Sequence, residues 1–86
     1  MSIQDQFNTA LEKLKTLPAQ PNDVMLDLYS LYKQSTVGDV TGKKPGMFDI
    51  VAKAKFEAWE KQKGITKEQA MQAYVALVDE LAKKVS

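Results

Sequence analysis

Two tyrosines and a lysine stand at i, i+3 and i+4: Tyr29, Tyr32 and Lys33. On a helix those positions share a face, so two phenols and an ammonium can converge on one target. Such a set suits an aromatic, phosphorylated ligand, with rings for stacking, hydroxyls for hydrogen bonds and a charge for phosphate. The same residues read equally well as two core tyrosines beside a solvated lysine. Lys55 is a second candidate. It lies four positions after Val51 and four before Trp59, so it interrupts an apolar helical stripe. A lysine there either snorkels to solvent or supplies charge at the edge of an apolar groove. Tyr74 sits on an apolar helical face and is most simply a core tyrosine whose hydroxyl reaches the surface. It gains a role only if its helix packs beside the face carrying Tyr29 and Tyr32.

Composition removes most other chemistry. The 86-residue chain has no cysteine and no histidine, which excludes thiol nucleophiles, thiolate zinc sites, the Ser-His-Asp arrangement and the commonest metal ligand. No Asp or Glu lies in an apolar setting that would raise its pKa for acid–base work, so an enzyme is not expected. Neither a metal site nor a cofactor is expected. The chain also lacks arginine, and its formal net charge is +1. Attraction to nucleic acid is therefore weak, and any anion must be held by locally placed lysines. The start, Met1–Gln6, has no basic region followed by an apolar run, and the longest apolar runs, such as Tyr74–Val78, are too short to span a bilayer. The expectation is a soluble, cytoplasmic protein.

The elements that must position these residues are helices. Ser2 caps a first helix ending near Leu17, before Pro18, with Phe7, Ala10, Leu11, Leu14 and Leu17 on one face. After a connector stiffened by Pro18 and Pro21, Asn22 or Asp23 caps a second helix reaching about Ser35. Apolar and aromatic side chains cover nearly its whole circumference. Either it is buried centrally or its second face meets a ligand or partner. Residues 36–47, with Gly38, Gly42, Pro45 and Gly46, form a connection long enough to be a binding loop. A third helix runs from Phe48 or Asp49 to Gln62, with Gly64 as its stop. Thr66-Lys67-Glu68-Gln69 is a capping box for the last helix, whose apolar face carries Ala70, Tyr74, Leu77 and Leu81. The pairs Glu57/Lys61, Asp79/Lys83 and Glu80/Lys84 read as solvated i,i+4 ion pairs, and Lys43 and Lys44 as solubilising loop charges. The whole chain is one all-α domain of four helices.

The stretch Tyr29-Ser30-Leu31-Tyr32-Lys33-Gln34-Ser35-Thr36-Val37-Gly38-Asp39 continues into Lys44-Pro45-Gly46-Met47-Phe48-Asp49, then Lys53-Ala54-Lys55-Phe56-Glu57-Ala58-Trp59, and closes with Gly64-Ile65-Thr66-Lys67-Glu68-Gln69-Ala70-Met71-Gln72-Ala73-Tyr74. Together with Phe7, Ala10, Leu14 and Leu17, these segments resemble the acyl-CoA-binding protein family over essentially the entire chain. The resemblance implies a skewed up-down-down-up bundle of four helices without catalytic activity. It implies one-to-one binding of medium- and long-chain acyl-CoA esters in the cytosol, by a monomer that acts as pool and transporter. By position, Tyr29, Lys33 and Lys55 would hold the CoA head, the two lysines facing the 3′-phosphate. Tyr32 and Tyr74 would complete the adenine and phosphate surroundings. Lys15 would be a first-helix contact, and Met25 and Leu26 would line the acyl groove. Acyl-CoA-using enzymes or membrane surfaces would be donors and acceptors. Three departures stand out: Phe56 where tryptophan is usual, an apolar Ile50-Val51-Ala52 where the family carries lysine, and a connector before helix two one residue shorter than in the mammalian proteins. A second reading remains open: a helical interaction module receiving an amphipathic partner helix on helix two.

Overall fold

The computed structural model describes residues 2–85 and contains four helices: α1 (Ile3–Leu14), α2 (Asn22–Thr36), α3 (Ile50–Glu60) and α4 (Lys67–Val85). No strand occurs among the described residues. Each start follows local chemistry. Ser2 Oγ accepts from the Asp5 N–H at 3.1 Å, and Asp49 Oδ1 accepts from the Ala52 N–H at 3.2 Å. The capping box closes in both directions, Gln69 N–H to Thr66 Oγ1 at 3.0 Å and Thr66 N–H to Gln69 Oε1 at 2.9 Å. The start of α2 differs from expectation. Neither Asn22 nor Asp23 caps it: the cap position is Pro21, which makes no side-chain hydrogen bond, and its carbonyl accepts from the Met25 N–H at 3.0 Å. Proline's fixed φ already sets the chain for a helical start, so a polar cap one residue later is displaced into the first turn.

Two ends tighten. α1 proper stops at Leu14, and three successive i to i−3 bonds carry the chain on to Leu17. α3 stops at Glu60, two residues before Gln62, and a similar tightening leads to Gly64 at φ +102°, a conformation that glycine adopts without a Cβ clash.

Side-chain contacts set the helix directions. Phe7 meets Tyr74 and Lys13 meets Asp79, so α1 and α4 run parallel. Gln34 reaches the Ile65 carbonyl just before α4, whereas Tyr32, nearer the start of α2, lies close to Tyr74 further along α4, so α2 opposes α4. Tyr29 meets Lys55 and Lys33 meets Trp59, one turn later on both helices, so α2 and α3 run parallel. Up-down-down-up follows. Parallel neighbours also explain the long connection: the chain must travel back along about 22 Å of α2 before starting α3.

The core is built by α1, α2 and α4 from Phe7, Ala10, Leu28, Leu31, Met71, Tyr74, Val78 and Leu81. On α4 the buried set is shifted from expectation: Met71 and Val78 join it, and Leu77 is only partly buried. Three polar residues of α2 are buried as well. Ser30 and Ser35 donate to the Asp27 and Leu31 carbonyls at 2.8 and 2.6 Å, which satisfies their hydroxyls locally. The Gln34 amide donates to Asp39 Oδ1 at 2.8 Å and the Ile65 carbonyl at 2.9 Å. The Gly64 N–H also donates to Asp39 Oδ1, at 3.0 Å. These bonds, the Gly64 N–H first, hold the Asp39 carboxyl below its ordinary pKa and tie the loop after α2 to the start of α4. α3 contributes no buried residue and meets the other helices through α2 alone. One expected ion pair gives way to a contact between elements, Glu57 with Lys44 at 3.1 Å, and Asp79 meets Lys13 of α1 at 3.6 Å. Among the described residues, no helix is long and apolar enough to cross a membrane.

Candidate functional site

An apolar groove of about 450 Å³ opens between α2 and α3. From α2 it takes Asn22, Met25, Leu26 and Tyr29, the i, i+3, i+4, i+7 positions of one helical face. From α3 it takes Ile50, Val51, Ala54 and Lys55. The surplus apolar face of α2 is therefore only partly covered by α3. Leu28 and Leu31 go to the core, while Met25 and Leu26 stand in the groove, Met25 still 48% exposed.

The groove has a polar end. Lys55 Nζ lies 5.3 Å from the centroid of the Tyr29 ring, and one turn further along Lys33 Nζ lies 5.1 Å from that of Trp59. Both ammonium groups thus rest on aromatic faces, where the ring quadrupole attracts a cation without neutralising it. Among the described residues neither has a carboxylate partner, whereas Lys13, Lys15 and Lys44 are each paired. Trp59 is fixed in turn by its indole N–H, which donates to the Gly38 carbonyl at 2.8 Å. Glycine at 38 has φ +99°, so the loop residue that receives this bond is one of the few with a left-handed backbone.

Tyr32 and Tyr74 meet through Phe7. The Phe7 ring stacks on Tyr32 with centroids 6.2 Å apart and meets Tyr74 edge-on at 5.1 Å. Helix α4 does pack beside the tyrosine face of α2, as a role for Tyr74 requires. Tyr74 is 3% exposed, and burial, with a smaller contribution from the nearby Tyr32, pushes its phenol pKa up. It stays a neutral hydrogen-bonding group through the physiological range.

Of the residues singled out by sequence, the structure brings Met25, Leu26, Tyr29 and Lys55 into one groove, with Lys33 one turn beyond. Tyr32 and Tyr74 form an adjoining aromatic set around Phe7. Lys15 is not drawn in: it caps the C-terminus of α1, is largely exposed and pairs with Glu12 at 3.3 Å. Sequence reasoning missed Asn22, Ile50, Val51 and Ala54 as lining residues. Helical spacing back from Lys55 reaches Val51, so the signal was present for that one. No cluster of acidic residues that could hold a metal ion occurs among the described residues.

A family model described as "Acyl CoA binding protein" matches residues 4–78. The chain is similar to the acyl-CoA-binding protein homolog 1 of Caenorhabditis elegans, with 54% identity over 91% of this chain and 92% of that one. It is 49% identical to the acyl-CoA-binding protein of Gossypium hirsutum, over 94% and 92% of the two chains. Among solved structures it matches the crystal structure of Oryza sativa acyl-CoA-binding protein 2 with a TM-score of 0.93 at 41% identity, covering 98% of this chain and 94% of that one.

Proposed function

Because the chain belongs to the acyl-CoA-binding protein family, we propose that the α2/α3 groove binds the acyl chain of a medium- or long-chain acyl-CoA and its polar end holds the CoA head. One observation supports this most directly: Lys33 and Lys55, without carboxylate partners among the described residues, stand at the tyrosine end of an apolar groove. An ester with an apolar tail and a phosphorylated aromatic head needs those two surroundings side by side. Lys33 and Lys55 face the 3′-phosphate, and Tyr29 gives a ring and a hydroxyl to the head. Tyr32 and Tyr74 complete the adenine and phosphate surroundings, and Met25 and Leu26 line the tail. Lys15 is an outlying contact to the head.

The two halves contribute differently. A charge-assisted hydrogen bond contributes about 1.5–3 kcal/mol net. Each buried methylene contributes about 0.8 kcal/mol, so twelve set an upper limit of roughly 10 kcal/mol. The open groove and the ordering of a flexible chain reduce that figure. The head therefore sets specificity for CoA, and tail length sets affinity. The protein acts as a single, monomeric, non-catalytic domain in the cytoplasm, keeping acyl-CoA as a pool and carrying it to acyl-CoA-using enzymes. A chain without histidine or cysteine offers no ready nucleophile or base for thioester cleavage. Docking of an amphipathic partner helix would leave the two bare ammonium groups without a purpose.

Calorimetric titration with CoA, a short acyl-CoA and a long acyl-CoA tests the proposal. Affinity rises with chain length and the ester stays intact; equal affinity for all three ligands would sink the groove.

A further inference from the structure

The chain carries four methionines and no cysteine, so thioethers are its only sulfur. Their surroundings differ sharply. Met71 belongs to the core and is 9% exposed. Met47 is 73% exposed and stands outside the groove, in the turn before α3 that the Asp49 N–H closes onto the Gly46 carbonyl at 3.0 Å. Met25 lines the α2/α3 groove and is 48% exposed. Among the described residues, Met25 is therefore the one thioether that both opens to solvent and faces the proposed tail.

An accessible thioether reacts with peroxides. The sulfur lone pair bonds to one oxygen of hydrogen peroxide as the O–O bond breaks. The hydroxide that leaves takes the proton of the transferred oxygen and departs as water. Sulfur gives up two electrons, the peroxide takes them, and a sulfoxide stands where the thioether was. An apolar side chain has become a polar one at a point the tail has to pass, since Met25 lies one turn from Tyr29 on the same face of α2. Methylenes laid against the new oxygen offer it no donor in place of water, so the tail loses favourable burial there. Coverage acts in the other direction as well. A tail lying in the groove shields Met25 from peroxide and leaves Met47 as open as before.

We propose that Met25 is a peroxide-oxidation site whose sulfoxide weakens the binding of long acyl-CoA and whose oxidation a bound acyl tail prevents. The proposal rests on the reading of the groove as the acyl site. With no cysteine, the chain holds no thiol to reverse the change, so reversal falls to external methionine sulfoxide reductases, one for each sulfoxide epimer.

The test treats the full chain with hydrogen peroxide, with and without excess long acyl-CoA. Peptide mass mapping follows each methionine, and calorimetric titration with CoA and the long ester follows the product. Bound ester slows oxidation of Met25 by about tenfold or more and leaves the rate at Met47 unchanged. Protein oxidised at Met25 binds the long ester about tenfold or more weakly, binds CoA within about twofold of the untreated chain, and recovers with the reductases and a dithiol. Met47→Leu responds to peroxide as the wild type does, whereas the affinity of Met25→Leu is the same before and after treatment, whatever its starting value. Where the untreated protein prefers the long ester to CoA, two results each overturn the proposal: equal Met25 oxidation rates with and without ligand, or an unchanged long-ester affinity after oxidation. An equal loss for CoA and the long ester overturns it too, because oxidation then loosens the fold. Untreated protein that binds CoA and the long ester equally well overturns the reading of the groove, and the proposal with it.

Discussion

Lys55→Ala separates binding of phosphate from support of the fold. In the free protein the Lys55 ammonium is exposed and its chief contact is the Tyr29 ring at 5.3 Å. An exposed cation–π contact contributes about 0.5–1 kcal/mol. Its loss therefore lowers the thermal midpoint by no more than about 4–8 °C in a chain of this size. In the complex the same ammonium meets a phosphate, and a charge-assisted hydrogen bond contributes about 1.5–3 kcal/mol. At about 1.4 kcal/mol per tenfold, affinity for acyl-CoA falls roughly 10- to 100-fold. The 3′-dephospho ester lacks the partner, so its affinity falls no more than about fivefold, the share of a lost cation–π contact. Calorimetric titration of both esters with both proteins gives the comparison. Lys55→Met keeps the aliphatic stem along the groove and should reproduce the phosphate-dependent part alone. Equal losses for the two esters would refute the assignment and make Lys55 a prop for Tyr29. A midpoint shift well beyond the stated range would point the same way.

Two further outcomes follow from the aromatic set around Phe7. Burial raises the Tyr74 pKa above its usual 10.0, so the unfolded chain releases this proton first. Stability is then fully present below about pH 10 and is lost as pH rises through the folded pKa; urea titrations from about pH 9 to pH 11 measure the slope, and Tyr74→Phe should flatten it. An identical slope in the variant would assign the alkaline loss to other groups. Phe7→Ala removes a 1% exposed ring that touches both Tyr32 and Tyr74, and should cost about 3–5 kcal/mol by thermal denaturation. A cost under about 1 kcal/mol would mean that the tyrosines do not depend on it.

Helix caps and apolar periodicity made much of this fold legible from residues alone. Ser2, Thr66 and Gln69 make the hydrogen bonds their types and spacing require. The start of α2 was misread because a cap preference for Asn and Asp takes no account of the proline before them. The pairing of Glu57 differs for a related reason: i,i+4 spacing says which charges can meet on one helix, but nothing of a lysine in a loop or on another helix. Lys44 takes Glu57 from the connection before α3, and Lys13 meets Asp79 from α1. The site was half legible. Tyr29 and Lys33 share a helix, so spacing alone joins them, whereas pairing Tyr29 with Lys55 needs the relative direction of α2 and α3. Ile50 and Val51 show the limit most clearly, since apolar type at a helix start does not say whether a neighbour covers it or is missing.

That missing neighbour connects stability with function. α1, α2 and α4 fill one core among themselves, and α3 adds nothing buried to it. What holds α3 is largely polar and local: the Trp59 indole on Gly38, the Gln62 amide on Ser30 Oγ at 3.3 Å, Lys44 on Glu57, and two ammonium groups resting on rings. Had apolar side chains filled the space between α2 and α3, the helix would be firmer and the groove would not exist. The apolar contact absent from this interface is what an acyl chain can supply. The parallel course of α2 and α3 also puts Tyr29 beside Lys55 and Lys33 beside Trp59, so tail and head sites lie along one line. A short hairpin would have set the two helices antiparallel and carried Lys55 and Trp59 out of register with Tyr29 and Lys33. The long connection after α2 is thus a geometric requirement of the site, and its exposed apolar turn lies at the point where that requirement brings the chain back to the mouth of the groove.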